Sequence, residues 1–159
     1  MRRKAFSLIE LMVVVAIIAF LASIAIPQYF KYHAKAKQAE VTMVLASLHT
    51  AEQAHYAEHG TYSTELSGPN GIGWKPEGYN GGGKKAKFNY SYGFFFSGAQ
   101  EGIHYFTGKL EAKIDSGNCF ADKERFFAKA AGDVIGKGKI DIWSIDETRN
   151  INHEQNGID

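Results

Sequence analysis

From Leu8 to Ile26 every residue except Glu10 is apolar or small. As a helix this stretch rises about 28 Å, close to the hydrocarbon thickness of a bilayer. An element that is greasy on every side has no face to offer water, so it must lie in lipid or among other apolar surfaces. Glu10 is what makes the run unusual. A charge in such a segment costs ~2.5–3.5 kcal/mol at mid-helix and less near the interface. A passive anchor has no use for it. Glu10 is therefore a candidate functional group that needs a cationic partner. The short leader Met1-Arg2-Arg3-Lys4-Ala5 stands directly before the run. Its three cations keep that end cytoplasmic and send the C-terminal bulk outward.

Beyond Pro27 the pattern changes. Val41, Val44, Leu45, Leu48 and Ala51 recur at three- and four-residue steps, an amphipathic stripe, with Lys35, Lys37, Glu40 and Glu52 read as lying largely off it. One helix from about Phe6 to about Glu58 would reach about 80 Å. Apolar all round in its first half and on one side in its second, it reads as a stalk whose distal half packs on a head. Pro27 lacks an N–H and opposes the Ser23 carbonyl, which predicts a kink or local melting. Gly60 is the C-cap candidate. A glycine- and proline-rich connection follows, expected to lie over the surface. Phe88, Tyr90, Tyr92, Phe94 and Phe96 then alternate with smaller residues, a strand with one aromatic face. A second strand spans Ile103 to Ile114 with a bulge at Gly108, and two more span Phe126 to Ala131 and Lys139 to Ile145. The fold class is α+β: a long N-terminal helix packed on a C-terminal antiparallel β-sheet head.

The segment Phe6-Ser7-Leu8-Ile9-Glu10-Leu11-Met12-Val13-Val14-Val15-Ala16-Ile17-Ile18, with Ala25-Ile26-Pro27-Gln28-Tyr29 after it, closely resembles the N-terminus of type IV pilins. The match continues through Ala34-Lys35-Ala36-Lys37-Gln38-Ala39-Glu40 and Ala57-Glu58-His59-Gly60-Thr61-Tyr62, so it covers roughly the first forty per cent of the chain. The resemblance implies cleavage between Ala5 and Phe6 by prepilin peptidase and methylation of the new Phe6 amine. It further implies that Glu10 faces the Phe6 amine of a neighbouring subunit during filament assembly. Ala5 departs from the family's usual glycine but is also small. Many pilins close a C-terminal loop with a disulfide; Cys119 is the only cysteine here and cannot form one within the chain. The organisation expected is a leader over 1–5, a hydrophobic transmembrane or filament-core helix over 6–27, its amphipathic continuation over 28–59, a glycine-rich loop over 60–87, and the β-sheet head with a C-terminal tail over 88–159.

Other readings of the same residues carry less. Ser23-Ile24-Ala25 offers a signal-peptidase site, but cleavage there would discard the anchor and leave Glu10 without a purpose. His55, Glu58 and His59 match an inverted zinc-protease motif, yet they sit at the helix end with no third ligand in sight, so a polar last turn is the plainer reading. Gly78 to Lys85 comes near a phosphate loop but has Lys85 where Ser or Thr should hold magnesium. Asp133 to Asp141 has calcium-loop glycines but Ile135 and Lys137 at ligand positions, which favours a glycine-turn hairpin. Asn89-Tyr90-Ser91 is an isolated glycosylation sequon. Cys119 reads as a small buried side chain.

With 18 basic and 17 acidic residues the chain is nearly neutral, and without Arg2, Arg3 and Lys4 the balance is 15 to 17. That balance argues neither for nor against nucleic acid or anionic lipid as an obligatory partner. The function the resemblance implies is that of a non-enzymatic, cofactor-free major pilin, with no obligatory nucleic acid or small molecule. Its partners are copies of itself, prepilin peptidase and the assembly machinery, and the inner membrane before export to an extracellular filament. The alternatives are a pseudopilin of type II secretion and, from another class, a membrane-tethered ligand-binding domain using the glycine loop and sheet face.

Overall fold

The computed structural model describes residues 6–112, 114 and 118–158. A single helix, α1 (Leu8–His59), runs for 52 residues and ends at Gly60, whose φ of 69° is the left-handed turn that glycine adopts without strain. The Gly60 N–H closes the helix on the Tyr56 carbonyl at 2.8 Å. The helix stays helical through Pro27, so the chain does not melt there.

Among the described residues six short strands follow: β1 (Ser91–Gly93), β2 (Tyr105–Phe106), β3 (Phe120–Ala121), β4 (Phe126–Gly132), β5 (Asp141–Asp146) and β6 (Ile151–Gln155). They form one antiparallel sheet in the order β2-β1-β4-β5-β6, with β3 pairing the start of β4 on the same side as β1. The register sets Tyr92 opposite Ala130 and Ala128 opposite Ile145. Phe126, Ala128 and Ala130 alternate on the buried face and are fully enclosed. Against this face α1 lays Ala34, Val41, Leu45 and Leu48. The alanines of β4 leave room for the helix, and Tyr90, Tyr92, Phe94 and Phe106 fill the flank.

The aromatic run 88–96 yields a strand of only three residues. The Asn89 N–H is taken by Glu40 Oε1 at 2.8 Å instead of a ladder partner, and Gly93 at φ +135° bends the far end. The expected second strand shrinks to β2. Beyond it, Lys109 and Leu110 donate to the Phe88 and Asn89 carbonyls in irregular fashion. At Gly108 a Cβ would stand 2.2 Å from the Tyr90 oxygen, so the close approach admits only glycine. The glycine-rich connection is pinned rather than draped. Leu66 is fully buried and both it and Ser67 donate to the Ile103 carbonyl, while Trp74 donates its indole N–H to Ser47 at 3.1 Å.

Glu52 corrects the reading of the stripe. It falls four residues after Leu48, on the buried line, and its exposure is 0%. Leu45 lies at the centre of this contact. Leu45→Ala is expected to destabilise the head by ~2–5 kcal/mol, measured by denaturant unfolding of the detergent-solubilised chain through Trp74 and Trp143 fluorescence.

Candidate functional site: the helix start and the seam under the head

Ser7 is the N-cap of α1, in extended conformation, and Glu10 stands in the first turn. Its carboxylate Oε2 accepts the Ser7 N–H at 2.9 Å, the reach-back half of a capping box at the positive end of the helix dipole. A glutamine could make the same bond, so capping alone does not require the charge. The structure thus brings Phe6, Ser7 and Glu10 together on one turn, with Phe6 77% exposed. Ala5 lies outside the described residues. The side chains that follow are bare: Leu8, Ile17, Phe20 and Ile26 are each more than half exposed. This is one helix long and apolar enough to cross a membrane, and none of its most apolar stretch is covered by the head. Pro27 sits about 25 Å along the axis from Glu10.

Farther along α1, polar side chains stitch helix to head. Glu40 accepts from Asn89 N and Nδ2 (2.8 and 2.6 Å) and from the Tyr92 hydroxyl at 3.1 Å. Tying up the Asn89 amide in this way occupies the nitrogen that a sugar would need. Gln38 donates to Asp141 at 3.0 Å. Asp141, fully buried, also accepts from Tyr90, Trp143 (2.8 Å), His153 (2.7 Å) and the Gly157 N–H (2.8 Å). Burial opposes its ionisation, but the Gly157 N–H and the Tyr90, His153 and Trp143 side chains outweigh that and hold its carboxyl below the usual range. The His153 ring stacks on Trp143 at 4.0 Å, and this one carboxylate joins the helix, the residue just before β1, β5, β6 and the tail.

Glu52 is the opposite case. Its Oε2 accepts the Ser63 N–H at 3.2 Å, while Oε1 is buried without a partner. Burial pushes its carboxyl up to about 7, with the Ser63 N–H pulling the other way. Sequence spacing held the signal for it, since 41, 45, 48 and 52 form one helical line.

The remaining motifs resolve into local structure. His55 and His59 stack at 4.3 Å, and His55 Nδ1 lies 2.9 Å from the Thr61 carbonyl, so the pair finishes the last helical turn. Asp133 accepts the N–H groups of Gly136, Lys137 and Gly138, which closes the β4–β5 hairpin. Gly83–Lys85 forms one short 3-10 turn, with neither a strand before it nor an α-helix after it among the described residues. Cys119 is free and 6% exposed, and burial pushes its thiol up to about 11, with a Phe95 backbone hydrogen bond opposing. A cleft of about 800 Å³ opens beside Gly81–Gly83, floored by Phe95 and Tyr105 and edged by Glu101 and Glu111. The buried hydroxyl on its wall, Ser91, is already engaged by the Gly108 N–H at 3.3 Å.

With this geometry in place, residues 1–26 match the family model described as a prokaryotic N-terminal methylation motif. The chain is 46% identical over 76 residues to the type IV major pilin protein PilA of Myxococcus xanthus, covering 48% of this chain and 33% of that one. It is 41% identical over 71 residues to prepilin peptidase-dependent protein D of Escherichia coli (45% and 49% of the two chains). It is 38% identical over 60 residues to type IV major pilin protein PilE1 of Neisseria gonorrhoeae (38% and 36%). Over its N-terminal half the chain is similar to type IV pilins. Its matched stretches span about a third to a half of the length of these relatives. The pilin-like architecture read from the sequence, one long helix on an antiparallel sheet, is the one observed.

The buried acid of this pilin-like head gives a signed pH effect. A carboxyl raised from 4.5 to about 7 stabilises the fold below pH 4.5, and that contribution is lost as pH rises to 7. Glu52→Gln is expected to remove the decline, gaining on the order of 3 kcal/mol relative to the parent between pH 4.5 and 7. Urea midpoints of both proteins across that range check it; parallel curves would refute it.

Proposed function

We propose that this chain is a structural subunit, a major pilin, polymerised through α1 into a surface filament. The observation that carries the reading is the uncovered apolar stalk with a single acid in its first turn, joined to the methylation motif over residues 1–26. In a membrane the stalk's bare side chains match lipid. In a filament, copies of the same stalk replace lipid with no loss of apolar contact.

Processing follows from the motif. Prepilin peptidase removes residues 1–5 between Ala5 and Phe6, and the new Phe6 amine is methylated. Residues 6–27 then serve as membrane anchor and filament core, 28–59 carry the head, 60–87 form the connecting loop, and 88–159 the sheet head and tail. The assembly machinery draws subunits from the inner membrane, where the N-terminus faces the cytoplasm, into an extracellular polymer. Pro27 gives the stalk a site where one helix hydrogen bond is missing, and hence a place to bend on packing.

Glu10 sets the axial register by pairing with the Phe6 amine of a neighbour, because a carboxylate among packed stalks is heavily penalised when unpaired. Capping and pairing separate cleanly by mutation. Glu10→Gln keeps the bond to Ser7 but loses the charge, and Glu10→Ala loses both. Breaking a buried pair costs ~3–5 kcal/mol, so both variants are expected to lower filament yield at least about a hundredfold while still inserting in membranes. Electron microscopy and mass spectrometry of material sheared from cells, which should begin at methylated Phe6, read the result. Normal filaments from Glu10→Gln would overturn the register role. Polymer confined to the periplasm would favour a type II secretion pseudopilin instead.

A further inference from the structure

Immediately beyond the apolar run, α1 carries Tyr29, Phe30 and Tyr32, which are 65%, 61% and 69% exposed. No part of the head covers them. Tyr29 and Tyr32 are three residues apart and share a side of the helix. Tyr29 stacks on His33 at 5.9 Å and meets Phe30 edge-on at 5.9 Å, so the rings form a collar around one turn. Lys31 and Lys35, both exposed, are four residues apart and share another side. Aromatic rings with polar edges concentrate at the headgroup level of a bilayer, and lysines reach from there to phosphate. On the outward flank of a spanning helix, cations run against the usual charge bias, so their placement calls for an anion at that depth.

We infer that the Tyr29–Phe30–Tyr32 collar with Lys31 and Lys35 is a docking surface for the anionic headgroups of the outer leaflet, and that it fixes the depth of the stalk before assembly. The inference rests on the membrane-spanning reading above. Because the helix is continuous, the collar's position dictates everything N-terminal to it. Glu10 lies 19 residues away, about 28 Å along the axis, against ~30 Å of hydrocarbon. With the collar in the outer headgroups, Glu10 reaches the inner edge of the hydrocarbon instead of its middle, where a charge is least tolerated. Phe6, about 35 Å from Tyr29, then lies among the inner headgroups, which exposes its peptide bond to an enzyme working at that surface.

Depth-dependent quenching tests this with the full chain in nanodiscs of phosphatidylcholine, with and without phosphatidylglycerol. A tryptophan replaces Tyr32 or, as a control, Val14, and the signal of the unsubstituted chain (Trp74 and Trp143, both in the head) is subtracted. Tyr32→Trp is expected to be quenched most by lipids brominated near the carbonyl end of the acyl chain, and Val14→Trp by those brominated near the bilayer centre. Brominated phosphatidylglycerol is expected to quench Tyr32→Trp at least about twofold more than brominated phosphatidylcholine, a preference erased by Lys31→Gln with Lys35→Gln. Unquenched Tyr32→Trp beside a quenched Val14→Trp would overturn the collar alone. So would Tyr32→Trp emission that shifts with protein concentration and ignores brominated lipid, which would mark a contact with a second copy. Equal quenching by the two headgroups would overturn its anionic partner. An unquenched Val14→Trp would overturn the spanning reading itself.

Discussion

The contact between the Ala34–Val41–Leu45–Leu48 line of α1 and the small-residue face of β4 is what lets this head exist. The strands are short, two of them only two residues long, and a sheet of such pieces has little stability by itself. Ala128 and Ala130 on β4 admit the helix, and Tyr90, Tyr92 and Phe126 close the sides. The helix is thus shared between two surroundings. Its distal half is a wall of the head core, while its proximal half is left bare for a different solvent.

Charge follows the same division. Under the head, every carboxylate facing the helix–sheet seam has a specific fate. Glu40 and Asp141 are surrounded by donors, which makes them rivets between helix and sheet. Glu52 has one donor for two oxygens and shifts its titration instead. Glu10, at the other end, is the one acid on the bare stalk and makes its cap bond with Ser7 in the open. Between Asp141 and Glu52 the contrast is one of supply: converging N–H and O–H donors hold Asp141 ionised, and Glu52, with one donor, resists ionisation.

Much of this was legible before the structure. The apolar run, the amphipathic stripe, the Gly60 stop and the β4–β5 hairpin each rest on a strong local signal: periodicity, a left-handed glycine, or the Asp133 turn. What escaped either lacked an apolar alternation or depended on partners distant in sequence. β6 carries Ile151 and then four polar residues, so no alternation marks it. It forms because Asp146 accepts from Thr148 and Asn150 and turns the chain back. The aromatic strand was overestimated because Glu40, 49 residues earlier, captures Asn89. Of the candidate site, Phe6 and Glu10 lie close together in sequence, so their nearness at the helix start was readable, while the Ser7 cap bond came only with the structure. The Asp141 hub was not, since its donors come from positions 38, 90, 143, 153 and 157.

That hub has a chemical corollary. The C-terminal end of the head is fastened by proton-sharing contacts to a single aspartate, and the chain's lone thiol is buried elsewhere in the core. Closure of this region within the chain therefore needs no oxidant during folding and offers no intrachain disulfide for a reductant to cut.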